Sequence, residues 1–159
     1  MSGPVLDIVQ AHRGAALAEA ARLIRAYAES LEFGLEFQDF DREVAGLPGE
    51  FAPPGGRLLL ARHGDHTAGC VALRPFDPPS ICEMKRLFVV DGCRGLGVGR
   101  ALAVAVIEAA SEAGYSRMCL DTTARMIAAN ALYRELGFRP IDAYRHNPLP
   151  DARYWELEL

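Results

Sequence analysis

Hydrophobic and polar residues follow two different periods along the chain, and these periods predict both strands and helices. Residues 5–11 alternate between apolar and polar positions, as a half-buried strand does. Residues 14–31 repeat their apolar positions every three to four residues, as an amphipathic helix does. Residues 97–114 are apolar nearly all round, which predicts a deeply packed helix capped by its terminal glycine.

Turn residues and shorter apolar runs predict the other elements. Two apolar runs flank Gly64 and Asp65, which indicates a β-hairpin with its tip at this pair. The further predicted elements are a helix over 36–45, strands over 79–90 and 115–122, a helix over 125–137, and terminal strands over 142–146 and 152–159. The order β-α-α-β-β-β-α-β-α-β-β indicates one α/β domain over residues 1–159, with a mixed sheet and helices on both faces.

Composition narrows the classes of function. The chain has 159 residues, half of them hydrophobic, which fits one domain with a sizeable core. A formal net charge of −4 argues against a nucleic-acid partner. No apolar run approaches the roughly 20 residues of a membrane span, and the N-terminal residues lack a signal-peptide pattern. We therefore expect no membrane partner.

Cysteine and histidine spacing gives no sign of a metal site or a disulfide framework. The four cysteines are widely spaced, so buried thiols at Cys70, Cys82 and Cys119 and a cytoplasmic location are expected. His63 and His66 have the spacing of metal ligands, but they flank a hairpin tip and have no evident third ligand. No metal is therefore expected.

The run CRGLGVGR, which starts at Cys93 and joins a strand to the apolar helix, predicts an anion site. Glycines allow positive φ and close backbone approach, and the first N–H groups of a helix lack partners within it. A P-loop is excluded because no Gly-Lys pair occurs, and the third glycine of a dinucleotide fingerprint is missing. The pattern that matches is R-x-x-G-x-G, from Arg94 to Gly99. A purely structural turn between strand and helix is the alternative.

These residues resemble the acetyl-CoA pyrophosphate loop of the GNAT superfamily of N-acetyltransferases. The resemblance is strongest from Glu83 to Phe138, and it includes the run ANALYRELGF of the next helix. It implies a mixed, mostly antiparallel sheet of six to seven strands, with acetyl-CoA as co-substrate. The residues that it assigns to acetyl-CoA binding are Leu87, Phe88, Val89, Arg94, Gly95, Leu96, Gly97, Val98, Gly99, Arg100, Ala101 and Asn130.

The resemblance also implies two catalytic residues, Glu83 and Tyr133. In histone-acetyltransferase-like members a glutamate on this strand is the general base, and the tyrosine of the later helix often donates a proton to the CoA sulfur. The alternative for Glu83 is an ion pair with Lys85 or an arginine. The alternative for Tyr133 is packing against Leu132 and Leu136.

Two further expectations concern the strand before the glycine loop and the arginines of the loop. Strict alternation would place the odd-numbered residues of 83–89 on one face of the strand and the even-numbered ones on the other. Arg94 and Arg100 would flank phosphates as charged donors, or else they are solvated surface arginines.

The expected activity is direct transfer of an acetyl group from acetyl-CoA to a primary amine of a small molecule or a protein. The alternatives are a non-catalytic acyl-CoA sensor of the same fold and, more distantly, another nucleotide-binding domain. Acidic and aromatic residues over 29–50 favour a cationic acceptor or form a solvated helix face, whereas Arg145 favours an acceptor with a carboxylate. Terminal strands could pair across a homodimer.

Overall fold

Within residues 6–31 and 40–159, which the computed structural model describes, seven strands form one sheet. They are β1 (Leu6–Gln10), β2 (Arg57–His63), β3 (His66–Pro75), β4 (Ile81–Val89), β5 (Arg117–Thr123), β6 (Arg139–Pro140) and β7 (Ala152–Glu158). Their order in the sheet is β1-β2-β3-β4-β5-β7-β6. Only the pair β4 and β5 is parallel, and the other neighbouring pairs are antiparallel. The expected mixed, mostly antiparallel sheet is confirmed.

Helices cover both faces of this sheet, as expected. They are α1 (Gly14–Ser30), α2 (Phe40–Ala45), α3 (Val98–Glu112) and α4 (Ile127–Glu135). On one face, Leu23 of α1 is buried with Leu58 of β2. On the other, Leu102 of α3 is buried with Leu59, the next residue of β2. Neighbouring residues of β2 thus pack into the cores on opposite faces of the sheet, because side chains alternate along a strand. No helix within the described ranges is both long and apolar enough to cross a membrane.

Most predicted elements lie close to their expected bounds, and the hairpin turns at Gly64 and Asp65. The thiols of Cys70, Cys82 and Cys119 are buried and free, as expected. Val5 and residues 36–39 of the predicted elements lie outside the described residues.

The predicted strand over 142–146 is wrong, because this segment is an irregular loop and the short β6 precedes it at Arg139–Pro140. The loop turns inward instead of pairing with a strand. The ring of Tyr144 packs edge-on against Phe76 and Tyr154, with centroids 5.2 and 5.5 Å away. Packing of the Tyr144 ring against these two rings therefore takes the place of strand pairing in residues 142–146.

A β-bulge interrupts β4 where it pairs with β3. Cys70 of β3 pairs with Phe88, whereas Ala72 pairs with Lys85, so β4 has one residue more than β3 over this stretch. Arg86 lies inside the bulge with a φ of 61°, in the left-handed region that residues other than glycine rarely adopt.

The bulge changes which residues of β4 share a face, so the expectation of strict alternation is wrong. Before the bulge the even-numbered Met84 packs on the α3 side, and after it the odd-numbered Leu87 and Val89 do. Glu83 therefore lies on the opposite face from Leu87. A one-residue insertion is sufficient for this reversal, because side chains alternate with a period of two.

β4 and β5 part after a short parallel ladder. Their pairing covers only residues 81–83 of β4 and 117–119 of β5. Both strands continue beyond the ladder, β4 as far as Val89 and β5 as far as Thr123. The edge of β4 that faces β5 therefore has main-chain groups available to another molecule.

Candidate active site

A cleft of about 620 Å³ opens where β4 and β5 part. Its walls are the end of β4, the glycine loop with the first turn of α3, the start of α4 and the end of α1. Tyr27 of α1 and residues 125–129 at the start of α4 were not among the residues predicted from the sequence. The predicted acetyl-CoA residues that line the cleft are Leu87, Phe88, Val89, Arg94, Gly95, Gly97, Val98 and Gly99.

The glycine loop presents unbonded N–H groups to this cleft. Gly95 and Gly97 have φ values of 84° and 78°, and a Cβ at either would meet nothing within 4 Å. Backbone conformation rather than space therefore requires glycine at both positions. The N–H of Ala101 donates to the Gly97 carbonyl at 3.0 Å, as the first helical bond of α3. The N–H groups of residues 98–100 have no acceptor one turn earlier, so they and the helix dipole suit an anion.

Four predicted acetyl-CoA residues do not line the cleft. The Leu96 side chain is half exposed, and Arg100 forms an ion pair with Glu135 on the surface. Ala101 has its N–H bonded inside α3, and Asn130 is held by internal hydrogen bonds. For these four residues, contact with acetyl-CoA remains a prediction that the geometry does not favour.

The side chain of Asn130 joins α4 to two strands. Its Nδ2 donates to the carbonyl oxygens of Thr123 at 2.9 Å and Met126 at 2.8 Å, and its Oδ1 accepts from Nε1 of Trp155 at 2.8 Å. Both amide hydrogens are thus engaged within the protein. This arrangement favours a structural role over the predicted bond to the pantetheine arm.

Glu83 is completely buried and makes ion pairs through both oxygens. Oε1 accepts from Nε of Arg74 at 2.8 Å, and Lys85 Nζ lies 3.9 Å from it. Oε2 accepts from the Tyr144 hydroxyl at 2.6 Å and from Arg145 at 3.2 Å. The structure thus shows the ion-paired arrangement that was the alternative to a general base.

The surroundings of Glu83 also decide its proton affinity. Burial alone would raise the pKa of Glu83, but the charges of Lys85, Arg74 and Arg145 outweigh burial. The hydrogen bond from Tyr144 acts in the same direction, so the pKa lies below its ordinary value. A carboxylate with occupied oxygens and a lowered pKa is a weak proton acceptor. The role of general base stays a prediction that this geometry does not favour.

Tyr133 lies beside a small cavity of about 40 Å³ between β4 and β5. The ring of Tyr133 packs against Phe138 and Trp155, and only 6% of the residue is exposed. Burial raises the pKa of its hydroxyl, which therefore stays protonated at neutral pH and can donate. Four residues line both this cavity and the cleft: Tyr27, Leu87, Met126 and Ala129.

A second pocket, of about 510 Å³, lies beside Glu83. Arg74 and Arg145 line it, and both also bind Glu83. Arg42 of α2 lines it too, and makes no ion pair with another described residue. Glu43 and Glu50 line it as well, but each is paired with an arginine. Three guanidinium groups against two paired carboxylates suit a ligand with a carboxylate group.

Two of the acidic residues that favoured a cationic acceptor form ion pairs with arginines of the protein itself. Glu43 accepts from Nε and the terminal nitrogen of Arg86 at 2.7 and 2.9 Å. Glu50 accepts from Arg74 at 2.8 Å. Residues 32–39, which carry more of the acidic and aromatic surface, lie outside the described residues. The described part of the segment therefore offers little free negative charge at this pocket.

Sequence reasoning missed Arg74 and Asp121, although both leave a signal. Each is a charged residue that directly follows an apolar run of its strand, and a charge there needs a partner. Arg74 pairs with Glu83, while Asp121 accepts from Asn147 at 3.1 Å and lies 4.0 Å from Arg145. The partners come from other strands and loops, so only the tertiary structure identifies them.

Residues 17–138 match the family model described as the acetyltransferase (GNAT) family. The chain is 41% identical over 138 residues to an uncharacterized N-acetyltransferase of Schizosaccharomyces pombe, across 86% of this chain and 85% of that protein. It is 38% identical over 129 residues to N-acetylaspartate synthetase of Homo sapiens, across 81% of this chain and 40% of that protein. The chain belongs to the GNAT acetyltransferase family and is an enzyme of that class.

Solved structures share this fold at low sequence identity. A GNAT-family acetyltransferase from Staphylococcus aureus has a TM-score of 0.77 at 21% identity, over 97% of this chain and 99% of that one. A Bacillus subtilis acetyltransferase in complex with CoA has a TM-score of 0.71 at 20% identity, over 98% and 99%. A Salmonella typhimurium structure with its cofactor acetyl-CoA has a TM-score of 0.72 at 19% identity, over 96% and 93%.

We expect Asn130→Ala to destabilise the protein while leaving acetyl-CoA affinity nearly unchanged. The substitution leaves Trp155 Nε1 without its partner, at a cost of about 1–3 kcal/mol, while the carbonyl groups of Thr123 and Met126 each keep a main-chain N–H donor. Urea unfolding measures the stability, and calorimetry with acetyl-CoA measures the affinity. Trp155→Phe removes one of the same bonds from its other end and is the matched control. A large loss of affinity at unchanged stability would instead support a bond to pantetheine.

Proposed function

We propose that this enzyme binds acetyl-CoA in the cleft between β4 and β5 and transfers the acetyl group directly to a primary amine. The observation that carries the proposal is the arrangement of the cleft. It extends from the N–H groups at the start of α3, along the open edge of β4, to residues shared with the cavity beside Tyr133. Relatives of the same fold that contain CoA or acetyl-CoA support this assignment.

The residues of the cleft fit the parts of acetyl-CoA. A diphosphate suits the N–H groups of residues 98–100, and an extended pantetheine arm suits the unpaired edge of β4. The side chain of Arg94 is 64% exposed, and its ion pair among the described residues is with the exposed Asp91, at 3.1 Å. Such a surface pair is weak, so its guanidinium is free to turn to a phosphate. Arg100 pairs with Glu135, and we assign its side chain no phosphate contact.

The transfer needs an acid for the departing thiolate, and Tyr133 is the candidate. Its hydroxyl is protonated at neutral pH, and the residue lines the cavity at the inner end of the cleft. Main-chain N–H groups on the open edge of β4 would stabilise the negative charge that develops on the acetyl oxygen. Glu83 holds Arg74 and Arg145 in place beside the second pocket.

We propose further that the acceptor amine carries a carboxylate. Arg42, Arg74 and Arg145 surround the second pocket, and arginine is suited to bind carboxylates with paired hydrogen bonds. Relatives named N-acetylaspartate synthetase, whose name contains a dicarboxylic amino acid, support this class of acceptor. The carboxylate expected from Arg145 is therefore favoured over the cationic acceptor.

We expect Gly97→Val to abolish acetyl-CoA binding. A β-branched residue does not tolerate a φ of 78°, so the loop would change shape and withdraw its N–H groups from the phosphates. Gly114→Val imposes the same kind of strain at a φ of 94°, at the end of α3 far from the loop, and is the matched control. Calorimetric titration measures the affinity. Normal affinity in the Gly97 variant would remove the glycine loop from the binding site.

We expect Tyr133→Phe to lower kcat by about 10²-fold or more, within the usual range for a general acid. Acetyl-CoA affinity should stay close to the wild-type value, because the ring and its packing are kept. Steady-state release of free CoA thiol measures the rate. An unchanged kcat would exclude the hydroxyl as the acid.

We expect acidic amino acids to be acetylated in preference to their amides. Aspartate and asparagine differ only in having a side-chain carboxylate or an amide of the same shape, so the ratio of their kcat/KM values tests for recognition of the carboxylate. Arg42→Gln should raise the KM for aspartate about tenfold or more, as the loss of one charged hydrogen bond does. The KM for acetyl-CoA is the internal control. Equal use of asparagine, or a preference for polyamines, would contradict an anionic acceptor.

A further inference from the structure

Lys85 is the only lysine among the 17 lysines and arginines of the sequence, and it lies in β4 beside the bulge. Its side chain is only 5% exposed. Arginine keeps its charge at every physiological pH, whereas lysine can lose its proton when buried. The chain thus has its single lysine at a buried position next to the opening between β4 and β5.

The cavity of about 40 Å³ places Lys85 next to the proposed reaction centre. Lys85 lines this cavity together with Tyr133 of α4 and Tyr27 of α1. Tyr27 also lines the acetyl-CoA cleft, so the two spaces adjoin. Nζ lies 3.9 Å from Oε1 of Glu83, which is beyond hydrogen-bond distance. The amino group is therefore available to a molecule that enters the cavity.

The charges around Lys85 come from three elements and act in opposite directions. Burial is the largest influence and lowers the pKa of Lys85 to about 8. Glu83 of β4 and Asp121 of β5 oppose this shift, while Arg86 of β4 and Arg145 of the loop after β6 add to it. A lysine with this pKa is partly neutral at physiological pH. The carboxylates of Glu83 and Asp121 stabilise its charged form.

We propose that Lys85 is the general base that takes a proton from the amine substrate. This assignment rests on the proposed acetyl transfer. The neutral Nζ takes a proton from the acceptor ammonium and becomes an ammonium beside Glu83 and Asp121. The freed nitrogen lone pair forms a C–N bond with the acetyl carbonyl carbon, and the C–S bond breaks. Tyr133 donates a proton to the sulfur and recovers the second proton of the nitrogen. Lys85 then releases its proton to water, so the products are an amide, CoA thiol and one proton.

The single lysine makes a direct measurement possible. Full-length protein labelled with lysine that carries ¹³C at the ε position should give one ε-methylene NMR resonance, with a titration midpoint near pH 8. Arg153→Lys adds a second resonance from an exposed position, which should titrate near the ordinary value of about 10.4. A midpoint for Lys85 at that ordinary value would overturn the proposal. This measurement needs no activity and no change at Lys85.

Kinetics tests the role in the reaction. Lys85→Arg keeps the charge but cannot accept a proton, so kcat should fall about 10²- to 10⁴-fold. Wild-type kcat/KM should rise with pH through about 8, because Nζ of Lys85 must be unprotonated to take the proton, and the variant should lack this limb. Acetyl-CoA affinity by calorimetry should be unchanged, and Arg153→Lys should keep full activity.

Two kinetic outcomes would contradict the role of Lys85. A retained kcat in Lys85→Arg excludes proton transfer to this residue. A change confined to the KM of the acceptor means that Lys85 binds the acceptor and does not deprotonate it. A wild-type enzyme that acetylates no amine would instead refute the proposed function itself, which separates the two failures.

Discussion

The parting of β4 from β5 is the constraint on which the cleft and the small cavity depend. It begins after Glu83, and the bulge follows directly, where Arg86 adopts a left-handed conformation that costs on the order of 1–3 kcal/mol. The side chain of Arg86 compensates, because its guanidinium makes two hydrogen bonds to Glu43 of α2 and lies 5.6 Å from the ring centroid of Phe40. The short helix α2 therefore stabilises the bulge, beyond which β4 continues to Val89 without β5 as a partner.

The bulge also separates two kinds of chemistry on the two faces of one strand. Glu83, before the bulge, holds Arg74 and Arg145 of the arginine-lined pocket on the α1 side. Leu87 and Val89, after it, pack on the α3 side, where the glycine loop begins α3. Lys85 lies between these two stretches. A donor bound along the end of β4 and an acceptor bound at the arginines would thus approach each other near the residue that can exchange a proton.

The fold and the glycine loop were predictable because short stretches of sequence determine them. The period of α3 and the left-handed glycines at Gly95 and Gly97 need no information about distant residues. The bulge depends on how β3 pairs with β4, and the loop over 142–146 depends on aromatic partners in other strands. The alternation of apolar and polar residues is the same in a regular and a bulged strand, and in a paired strand and an inward-turning loop. A single sequence therefore cannot distinguish these structures. A homodimer and a cytoplasmic location stay predictions.

Charge balance explains why a lysine suits this site better than a carboxylate as proton acceptor. Protonation of Glu83 would leave Arg74 and Arg145 beside a neutral acid, and breaking a buried ion pair costs about 3–5 kcal/mol. Proton transfer to Lys85 only moves one positive charge from the acceptor nitrogen to Nζ, and the charges of Glu83 and Asp121 favour this cation. The number of charges in the buried site stays the same. The ion pairs of Glu83 thus keep the arginines in place throughout the transfer, which a titrating Glu83 could not do.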